Sequence, residues 1–451
     1  MNKPTVHIET FGCQMNVSDT ERAATKLRAG GFELTDSVET ADIILLNTCS
    51  IREKAEQKVF NRVGEIKKAR GGRRAVVGVM GCVAQLEGEA IFNSSSSVHL
   101  VVGTGATERL PQLLERVRGG EARVVDIGAR EEEGAYEISH AERHSRHVAF
   151  VPIIEGCNKF CTYCIVPFSR GRERSRPASE IVEEVSRLLT QGYKEVQLIG
   201  QNVNSYRPKV EKGLEGFEGA TPFSRLLRAV ASTGMPRVKF TTSFPRDFHP
   251  DIVRAIEEHE NLCNWVHLPV QSGSNRVLRA MRRGHKVEDY LNKVDSMKGS
   301  CRRIALTSDI IVGFPGETVE EFEDTLRLAE TCRFHGLYIF KYSQRPGTPA
   351  SKLPDSVSAE EKSRRFMALE RLQMSIQGEL YSEYVGTEVE VLAEGVSARS
   401  QEDLKGHTTC NKVINFRADS SLVGQILRVR VTEAKAHSLY GEVSGPSEAQ
   451  V

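Results

Sequence analysis

Strand-like and helix-like segments alternate along most of the chain, and this alternation restricts the fold more than any other feature. Between residues 148 and 342, six apolar runs indicate strands: AFVPII, EVQLI, VKFTTS, WVHLPV, ALTSDIIV and LYIFKY. Amphipathic segments such as SEIVEEVSRLLTQG separate them. Such alternation is typical of parallel α/β sheets. Because six units are fewer than the eight of a closed barrel, the pattern predicts a curved, partial (βα)6 barrel.

Two different patterns flank this barrel. Upstream, the runs VHIETF, ADIILLN and AVVGVM alternate with helical segments and predict an open parallel sheet. Downstream, a long helical segment precedes short alternating strands, which predict a small β-barrel. The expected organisation is an N-terminal α/β domain over residues 1–127, a polar linker over 128–147, the partial barrel over 148–377 and the small barrel over 378–446.

Composition excludes several classes of protein. Charged residues make up 27% of the 451 residues, which is typical of globular proteins and excludes a disordered or collagen-like chain. The 61 basic and 60 acidic residues nearly cancel, so any nucleic acid must be bound through local patches. No apolar stretch approaches the roughly 20 residues of a membrane helix, and MNKPTVHIETFG lacks the apolar core of a signal peptide. We therefore expect a cytoplasmic protein without a membrane partner.

Three cysteines crowd together directly after the first barrel strand. Cys157, Cys161 and Cys164 lie in EGCNKFCTYC, with three and then two residues between them. Such thiolates bind zinc or iron–sulfur clusters. Three thiolates can hold three irons of a four-iron cluster and leave the fourth iron open to a cofactor. A zinc site, or three buried thiols, is the alternative.

Three further cysteines each follow a predicted N-terminal strand. Cys13 follows VHIETF, Cys49 follows ADIILLN and Cys82 follows AVVGVM. The carboxyl ends of parallel strands border the ligand crevice of an open sheet. The three thiols can therefore converge on a second cluster, although buried, inert thiols remain the alternative.

The first triplet, with Tyr163 before its last cysteine, resembles the signature loop of the radical S-adenosylmethionine (SAM) superfamily. The resemblance implies that the open iron binds SAM and that an electron from the cluster cleaves SAM to a 5′-deoxyadenosyl radical. It also implies that Tyr163 and polar residues after the barrel strands line the SAM pocket. These rim residues are Gly200, Gln201, Asn202, Ser243, Gln271, Ser272 and Gly273.

Longer motifs resemble the radical SAM methylthiotransferases: TFGCQMN, NTCSIREKAEQKVF, GCVAQ and LPVQSGSNRVL. This family resemblance implies two [4Fe-4S] clusters, one held by Cys157, Cys161 and Cys164 and the other by Cys13, Cys49 and Cys82. It implies that SAM is a cofactor and that N6-dimethylallyladenosine at tRNA position 37, 3′ of the anticodon, receives a 2-methylthio group. A methylthiotransferase for threonylcarbamoyladenosine or for a ribosomal-protein aspartate remains an alternative, as does a non-enzymatic, RNA-binding iron–sulfur sensor.

The expected partners are the tRNA anticodon stem-loop and an electron-donor protein, and the chain is expected to be a monomer. The C-terminal segment resembles the TRAM domain, a small β-barrel associated with RNA binding. Two basic runs, SRGRERSR at residues 169–176 and NRVLRAMRRGHK at residues 275–286, are expected to contact RNA phosphates. A solvated helix face is the alternative for the second run.

Overall fold

The computed structural model describes residues 3–50, 53–70, 73–129, 136 and 138–446. The chain forms two compact units. The first comprises Met1–Ser145 with the short segments Glu155–Asn158 and Cys164–Glu173, and the second comprises Arg146–Ile154, Lys159–Tyr163 and Arg174–Val451. Cys157 and Cys164 therefore belong to the first unit, whereas Cys161 belongs to the second.

A six-stranded parallel sheet forms the centre of the first unit. Its strands are β1 (Thr5–Phe11), β2 (Glu33–Leu34), β3 (Ile43–Thr48), β4 (Val76–Gly81), β5 (Leu100–Val102) and β6 (Val124–Asp126). They lie in the order β2-β1-β3-β4-β5-β6. The predicted open parallel sheet is thus confirmed. The three longest strands are the predicted ones, whereas the two- and three-residue strands β2, β5 and β6 are too short to show a periodic pattern.

Helices cover both faces of this sheet, because β3 is apolar on both sides. Ile43 and Leu45 pack into one buried cluster, whereas Ile44 and Leu46 pack into another. Alternate residues of a strand point to opposite faces, so both faces need a cover. The helices of the first unit are α1 (Gln14–Ala29), α2 (Glu53–Ala69), α3 (Cys82–Glu87), α4 (Ile91–Ser94), α5 (Leu110–Arg118) and α6 (Val166–Arg170).

The predicted linker is partly fixed to α1. Residues 130–135 and 137 of this segment lie outside the described residues. Further along, the Ser139 amide donates to Thr25 Oγ1 at 3.0 Å, and the His144 amide donates to Glu21 Oε1 at 3.0 Å. Arg143 lies 3.7 Å from Glu21 Oε2, and both side chains are buried. The end of the segment is therefore anchored to the N-terminal unit.

Parallel strands and outer helices build the main body of the second unit. The strands are β7 (Val148–Pro152), β10 (Glu195–Ile199), β11 (Arg237–Phe240), β12 (Trp265–His267), β13 (Ala305–Val312) and β14 (Gly336–Lys341), and β8 (Ile154–Glu155) and β9 (Arg174–Ser175) form a separate two-stranded sheet. The helices are α7 (Ala178–Thr190), α8 (Pro222–Ala231), α9 (Asp251–Glu258), α10 (Asn275–Ala280), α11 (Val287–Lys298), α12 (Val319–Cys332) and α13 (Ala359–Ser382).

The strand order confirms the partial barrel. Strands β7, β10 and β11 form one parallel sheet, and β12, β13 and β14 form another. A parallel bridge between Val238 and Leu262 connects β11 to the residues before β12. All six predicted strands are present, and their carboxyl ends share one rim.

The C-terminal strands close into a small barrel, as predicted. They are β15 (Glu388–Ser397), β16 (Ser400–Thr408), β17 (Val413–Arg417), β18 (Ile426–Ala434) and β19 (Leu439–Pro446), in the closed order β15-β16-β17-β19-β18. Arg237 on β11 connects this barrel to the larger one, because its guanidinium donates to the His407 and Thr408 carbonyls at 3.0 Å each. Among the described helices, none combines the length and apolar character that a membrane span requires.

Candidate active site

Sheet register places the three N-terminal cysteines at adjacent strand ends. Phe11 on β1 pairs with Thr48 on β3, and Thr48 pairs with Gly81 on β4. Cys49 and Cys82 follow this row directly, and Cys13 follows it after one more residue. Cys13 is exposed, whereas Cys49 and Cys82 are buried. The structure thus brings the three loops to one edge, as the sequence predicts.

Two buried asparagines hold these loops together. Asn16 Oδ1 lies 3.3 Å from both the backbone nitrogen and the Sγ of Cys13, at the start of α1. Asn16 Nδ2 donates to Asn47 Oδ1 and to the Thr48 carbonyl, each at 3.2 Å. Asn47 Nδ2 donates in return to the Asn16 carbonyl at 2.8 Å. The paired amides fix the Cys13 loop to the end of β3, where Cys49 follows.

Glycines allow the loops to approach this pair closely. Gly81 has a φ of +93°, and a Cβ at this position would lie 2.3 Å from Asn47 Oδ1. A Cβ at Gly12 would lie 2.4 Å from Asn16 Oδ1. Any larger residue at either position would displace an asparagine, so the glycine before each of these two cysteine loops is required by packing.

Charge and burial shift the pKa values of Cys13 and Cys82 in opposite directions. A hydrogen bond from Cys49 lowers the pKa of Cys13 to about 6, and the positive charge of Arg170 acts in the same direction. Burial raises the pKa of Cys82, which Arg170 opposes. Because a thiolate is the metal-binding form of cysteine, the lowered pKa prepares Cys13 to act as a ligand at neutral pH.

Arg170, at the end of α6, is itself buried and paired. Its Nη2 donates to Asp19 Oδ2 at 2.6 Å, and the two side chains are only 4% and 5% exposed. Helix α6 is held in place by Thr104, whose hydroxyl donates to the Ser169 carbonyl at 2.7 Å. A guanidinium from a distant segment therefore lies beside the thiols of the N-terminal sheet.

The described side chains offer no compact site for a single metal ion. Within the described ranges, no three His, Cys, Asp or Glu side chains converge as ligands of one ion would. Zinc binds four ligands tetrahedrally around one atom and needs such convergence. A four-iron cluster does not, because each thiolate binds a different iron. Three thiolates from three loops are a donor set that such a cluster takes.

Glycine also shapes the loop that carries the second cysteine triplet. Gly156 has a φ of +77°, and a Cβ there would lie 2.2 Å from the Arg172 carbonyl oxygen. The backbone nitrogen of the next residue, Cys157, donates to the Gly171 carbonyl at 3.2 Å. These contacts fix the start of the loop. Cys157 is buried, and Cys164 is half-buried.

The middle of this loop, Lys159–Tyr163, belongs to the second unit and packs there against residues 280–283. Thr162 anchors it, since its amide donates to the Met281 carbonyl at 3.1 Å and its hydroxyl donates to the Ala280 carbonyl at 2.9 Å. Arg283 Nη1 donates to Cys161 Sγ at 3.5 Å. Tyr163 packs against an apolar cluster that includes Met281. Arg283 therefore places a buried positive charge beside one of the predicted cluster ligands.

Three of the predicted rim residues carry buried polar atoms that lack a hydrogen-bond partner among the described residues. These atoms are Gln201 Oε1, Ser243 Oγ and Gln271 Oε1. They follow β10, β11 and β12 respectively, at the carboxyl rim of the barrel. Gln271 also has a φ of +81°, a conformation that costs free energy for any residue with a Cβ. Such buried polar atoms can hydrogen-bond to a bound polar group or to water.

The other predicted rim residues have structural partners. A Cβ at Gly200 would lie 2.3 Å from Ile154 Cγ2, and a Cβ at Gly273 would lie 2.5 Å from the Asp324 carbonyl oxygen. Ser272 is buried and accepts a hydrogen bond from the Ser274 amide at 3.2 Å. Asn202 is buried at the start of a short helical turn. Close packing explains the two glycines, and a role of these four residues in SAM binding stays a prediction.

The two basic runs are less available to RNA than their sequence indicates. In the first run, Arg170 is buried against Asp19, and Arg176 is buried with Nη1 2.8 Å from Glu184 Oε2. In the second run, Arg283 is buried and Arg276 pairs with Glu321. The prediction that both runs contact RNA phosphates therefore does not extend to Arg170, Arg176 and Arg283, whose side chains are buried. The exposed members are Arg172, Arg276, Arg279, Arg282 and Lys286, and of these Arg276 is paired with Glu321.

Sequence reasoning missed the residues that support the ligands. Asn16, Asn47 and Asp19 were not singled out, and Arg170 and Arg283 were assigned to RNA. Asn16 follows Cys13 in TFGCQMN and Asn47 precedes Cys49 in NTC, so the position of each amide was visible. Their pairing was not, because it joins side chains 31 residues apart.

Comparison with protein families matches three regions of the chain. Residues 5–103 match the "Uncharacterized protein family UPF0004", residues 151–329 match the radical SAM superfamily and residues 382–444 match the TRAM domain. These matches agree with the open sheet, the partial barrel and the small closed barrel.

Curated relatives match over nearly the whole chain. A tRNA-2-methylthio-N(6)-dimethylallyladenosine synthase of Solibacter usitatus is 45% identical over 443 residues, which cover 97% of each protein. The enzymes of the same name from Koribacter versatilis and Histophilus somni are 44% and 42% identical and cover 98% and 97% of this chain and 98% and 92% of the relatives.

Solved structures share the fold at low sequence identity. The radical S-adenosylmethionine methyltransferase TsrM from Kitasatospora setae, with cobalamin and a [4Fe-4S] cluster bound, aligns with a TM-score of 0.56 at 14% identity and covers 78% of this chain and 74% of that one. The cobalamin-dependent radical enzyme OxsB aligns with a TM-score of 0.51 at 12% identity, over 83% and 58% of the two chains.

Proposed function

The chain belongs to the family of tRNA-2-methylthio-N(6)-dimethylallyladenosine synthases, and from this membership we propose how its own residues serve the reaction. The protein is a radical SAM enzyme that converts N6-dimethylallyladenosine in tRNA, 3′ of the anticodon, to the 2-methylthio derivative. The observation that carries the proposal is the register of β1, β3 and β4, which brings Cys13, Cys49 and Cys82 to one edge in a chain that matches these enzymes over 97% of its length.

SAM and [4Fe-4S] clusters are the cofactors of this enzyme. When bound, a reduced cluster and SAM supply a carbon-centred radical that can remove hydrogen from a C–H bond that no side chain is basic enough to deprotonate. We assign Cys157, Cys161 and Cys164 as the ligands of the radical cluster. Arg283 donates to Cys161 Sγ, and its charge would offset the negative charge of the thiolates.

The polar rim of the barrel would hold SAM. Gln201 Oε1, Ser243 Oγ and Gln271 Oε1 are buried and have no hydrogen-bond partner among the described residues. Amide oxygens accept hydrogen bonds and a hydroxyl both donates and accepts, so the three side chains fit the amine, carboxylate and hydroxyl groups of SAM. Tyr163 lies on the loop of Cys157, Cys161 and Cys164 and packs against an apolar cluster.

We assign Cys13, Cys49 and Cys82 as ligands of the second cluster, which would hold the sulfur that is transferred. The lowered pKa of Cys13 favours its thiolate, and the asparagine pair keeps its loop against β3. Three ligands leave one iron without a protein ligand, and that iron is available to a sulfur compound.

tRNA is the substrate partner, and we propose that the anticodon stem-loop is the part that is bound. Exposed Arg172 borders the loop of the radical cluster, and exposed Arg279 and Arg282 lie on and after α10. Positive side chains at such positions would neutralise phosphates. An electron-donor protein, a monomeric state and a cytoplasmic location stay predictions.

The experiment that tests these assignments separates the two cysteine sets. Anaerobically reconstituted protein is incubated with SAM, a reductant and tRNA that carries N6-dimethylallyladenosine, and both 5′-deoxyadenosine and the 2-methylthio nucleoside are quantified. The variant with Cys13, Cys49 and Cys82 all changed to alanine should still cleave SAM, which shows that the barrel is folded, but should make no methylthio product.

The exposed Cys301 provides a matched control, because Cys301→Ala removes a thiol far from either set in sequence. This control should form both products at the normal rate. Normal methylthio yield from the triple variant would refute the assignment of the sulfur-bearing cluster. Modification of tRNA with threonylcarbamoyladenosine, rather than dimethylallyladenosine, would instead support the sister activity.

A further inference from the structure

We propose that Arg170 binds the small sulfur anion presented at the N-terminal cysteine triad, by donating a hydrogen bond from its Nη1 atom. The N-terminal cysteine triad here means Cys13, Cys49 and Cys82. The inference rests on the proposed function, because it requires a cluster held by this triad. Its ligand is an anionic sulfur compound of the hydrosulfide or thiolate class, and Arg170 would be a binding residue for it.

The two ends of the Arg170 guanidinium have different surroundings. Nη2 donates to Asp19 Oδ2 at 2.6 Å, whereas Nη1 is buried and has no hydrogen-bond partner among the described residues. Nearly all buried donors in proteins are paired, and a buried donor that lacks a partner costs free energy. An acceptor at Nη1 therefore remains to be supplied.

The position of the guanidinium shows where that acceptor would lie. Asp19 is on α1, the helix that begins directly after Cys13, and it fixes the orientation of the guanidinium. The Arg170 side chain also makes a hydrogen bond to the Cys82 thiol. One buried guanidinium thus lies beside the Cys82 thiol, and its Nη1 has no hydrogen-bond partner among the described residues.

Charge explains why an anion would bind here. Asp19 already neutralises Arg170 in the protein alone. Three thiolates give a four-iron cluster a net negative charge, and a sulfur anion on its open iron adds another. Buried negative charge is stable only when it is paired and hydrogen-bonded. The Arg170 guanidinium supplies a hydrogen bond and a positive charge that it shares with Asp19, and it does so without rearranging because Asp19 already holds it.

The test uses the full chain with Cys157, Cys161 and Cys164 changed to alanine, so that only the N-terminal cluster can form. After anaerobic reconstitution, sodium hydrosulfide and sodium methanethiolate are titrated separately, and the electron paramagnetic resonance spectrum of the reduced cluster gives an apparent Kd for each. The midpoint potential of the cluster is measured in parallel. Iron per chain is determined for every variant.

Arg170→Gln removes the charge and should weaken binding of the sulfur anion by about tenfold or more, the usual effect of losing a hydrogen bond to a charged group. It should also lower the midpoint potential, because a nearby positive charge stabilises the reduced cluster. Arg170→Lys keeps the charge but loses the planar guanidinium, so its Kd and midpoint potential should lie between those of the parent protein and those of Arg170→Gln. The matched control is Arg62→Gln, which removes a guanidinium that pairs with Glu9 instead, and it should change neither quantity.

Unchanged Kd and potential in an iron-replete Arg170→Gln variant would overturn the proposal and leave Nη1 to a water molecule. If Arg170→Gln binds no iron, the Kd and midpoint potential of Arg170→Lys provide the same test. Loss of iron from both variants would also overturn it, since Arg170 would then be needed to build the site. Failure of the proposed function would look different, because the parent protein itself would bind no iron or respond to neither anion.

Discussion

Replacing Gly81 by alanine should disrupt the N-terminal cysteine triad, although it adds only one methyl group. Gly81 ends β4 with a φ of +93° and a ψ of −152°, a combination that essentially only glycine adopts. The added Cβ would lie 2.3 Å from Asn47 Oδ1 and 2.8 Å from the Thr48 carbonyl oxygen. Contacts this short force Asn47 to move, and its hydrogen bonds to the Asn16 side chain and backbone are then lost.

The expected loss in the free energy of unfolding has two parts. Backbone strain contributes about 1–3 kcal/mol, and the buried amide groups left without partners contribute about 1–3 kcal/mol more. Gly31→Ala is the matched control, because Gly31 has a similar φ of +87° in the same unit but no atom within 4 Å of the added Cβ. This control should show the strain without the clash, so it should cost only about 1–2 kcal/mol.

Hydrogen–deuterium exchange of the full chain measures this difference. Peptides that cover β3 and β4 report the free energy of opening of the sheet. Iron content after anaerobic reconstitution then reports whether the triad still binds its cluster. Gly81→Ala should destabilise these strands more than Gly31→Ala and should lose iron, whereas the control should keep it. Equal effects of the two substitutions would refute the argument, because strain alone would then explain both.

Three further predictions concern the metal-free thiols, the clusters and the RNA surface. In the metal-free protein, iodoacetamide should alkylate Cys13 with a half-maximal rate near pH 6, because its pKa is about 6 and only the thiolate reacts. Buried Cys82, whose pKa is raised, should stay unmodified at neutral pH. A half-maximal rate for Cys13 above pH 8 would contradict this prediction. Anaerobic protein should bind about eight irons, and alanine at Cys157, Cys161 and Cys164 should leave about four and abolish SAM cleavage; bound zinc without iron would contradict it. Arg172→Ala should weaken tRNA binding and reduce the slope of log affinity against log salt by about 0.7–0.9, and an unchanged slope would show that this side chain is only solvated.

Much of the fold could be predicted because its strands are long and buried. Ile43–Thr48 is buried at every position, and such an apolar run is the signal of a central parallel strand. The six barrel strands overlap apolar runs of five or more residues, such as WVHLPV around the three-residue β12, and helical segments separate these runs. By contrast, Leu100–Val102 and Val124–Asp126 have only three residues each, so no period can be counted. Their pairing in the sheet depends on tertiary contacts.

The arginine run shows where charge reasoning failed. SRGRERSR places four arginines within eight residues, which favours a phosphate-binding surface. In the structure, Arg170 pairs with a carboxylate 151 residues away and Arg176 pairs with one 8 residues away. The local sequence shows how many charges a segment carries, but it does not show which of them a distant residue neutralises. Of the two arginines that remain, Arg172 is exposed and Arg174 is half-buried.

The two cysteine sets differ in how their members are brought together. Cys157, Cys161 and Cys164 lie on one loop, so their spacing alone identifies them. Cys13, Cys49 and Cys82 lie on three loops, and only the row Phe11, Thr48 and Gly81 brings them together. A shift of one residue in either strand pairing would move one cysteine along the edge and turn its neighbours to the opposite face of the sheet. The N-terminal site therefore depends on the register of the sheet, which the buried Asn16–Asn47 pair reinforces through bonds that only this register permits.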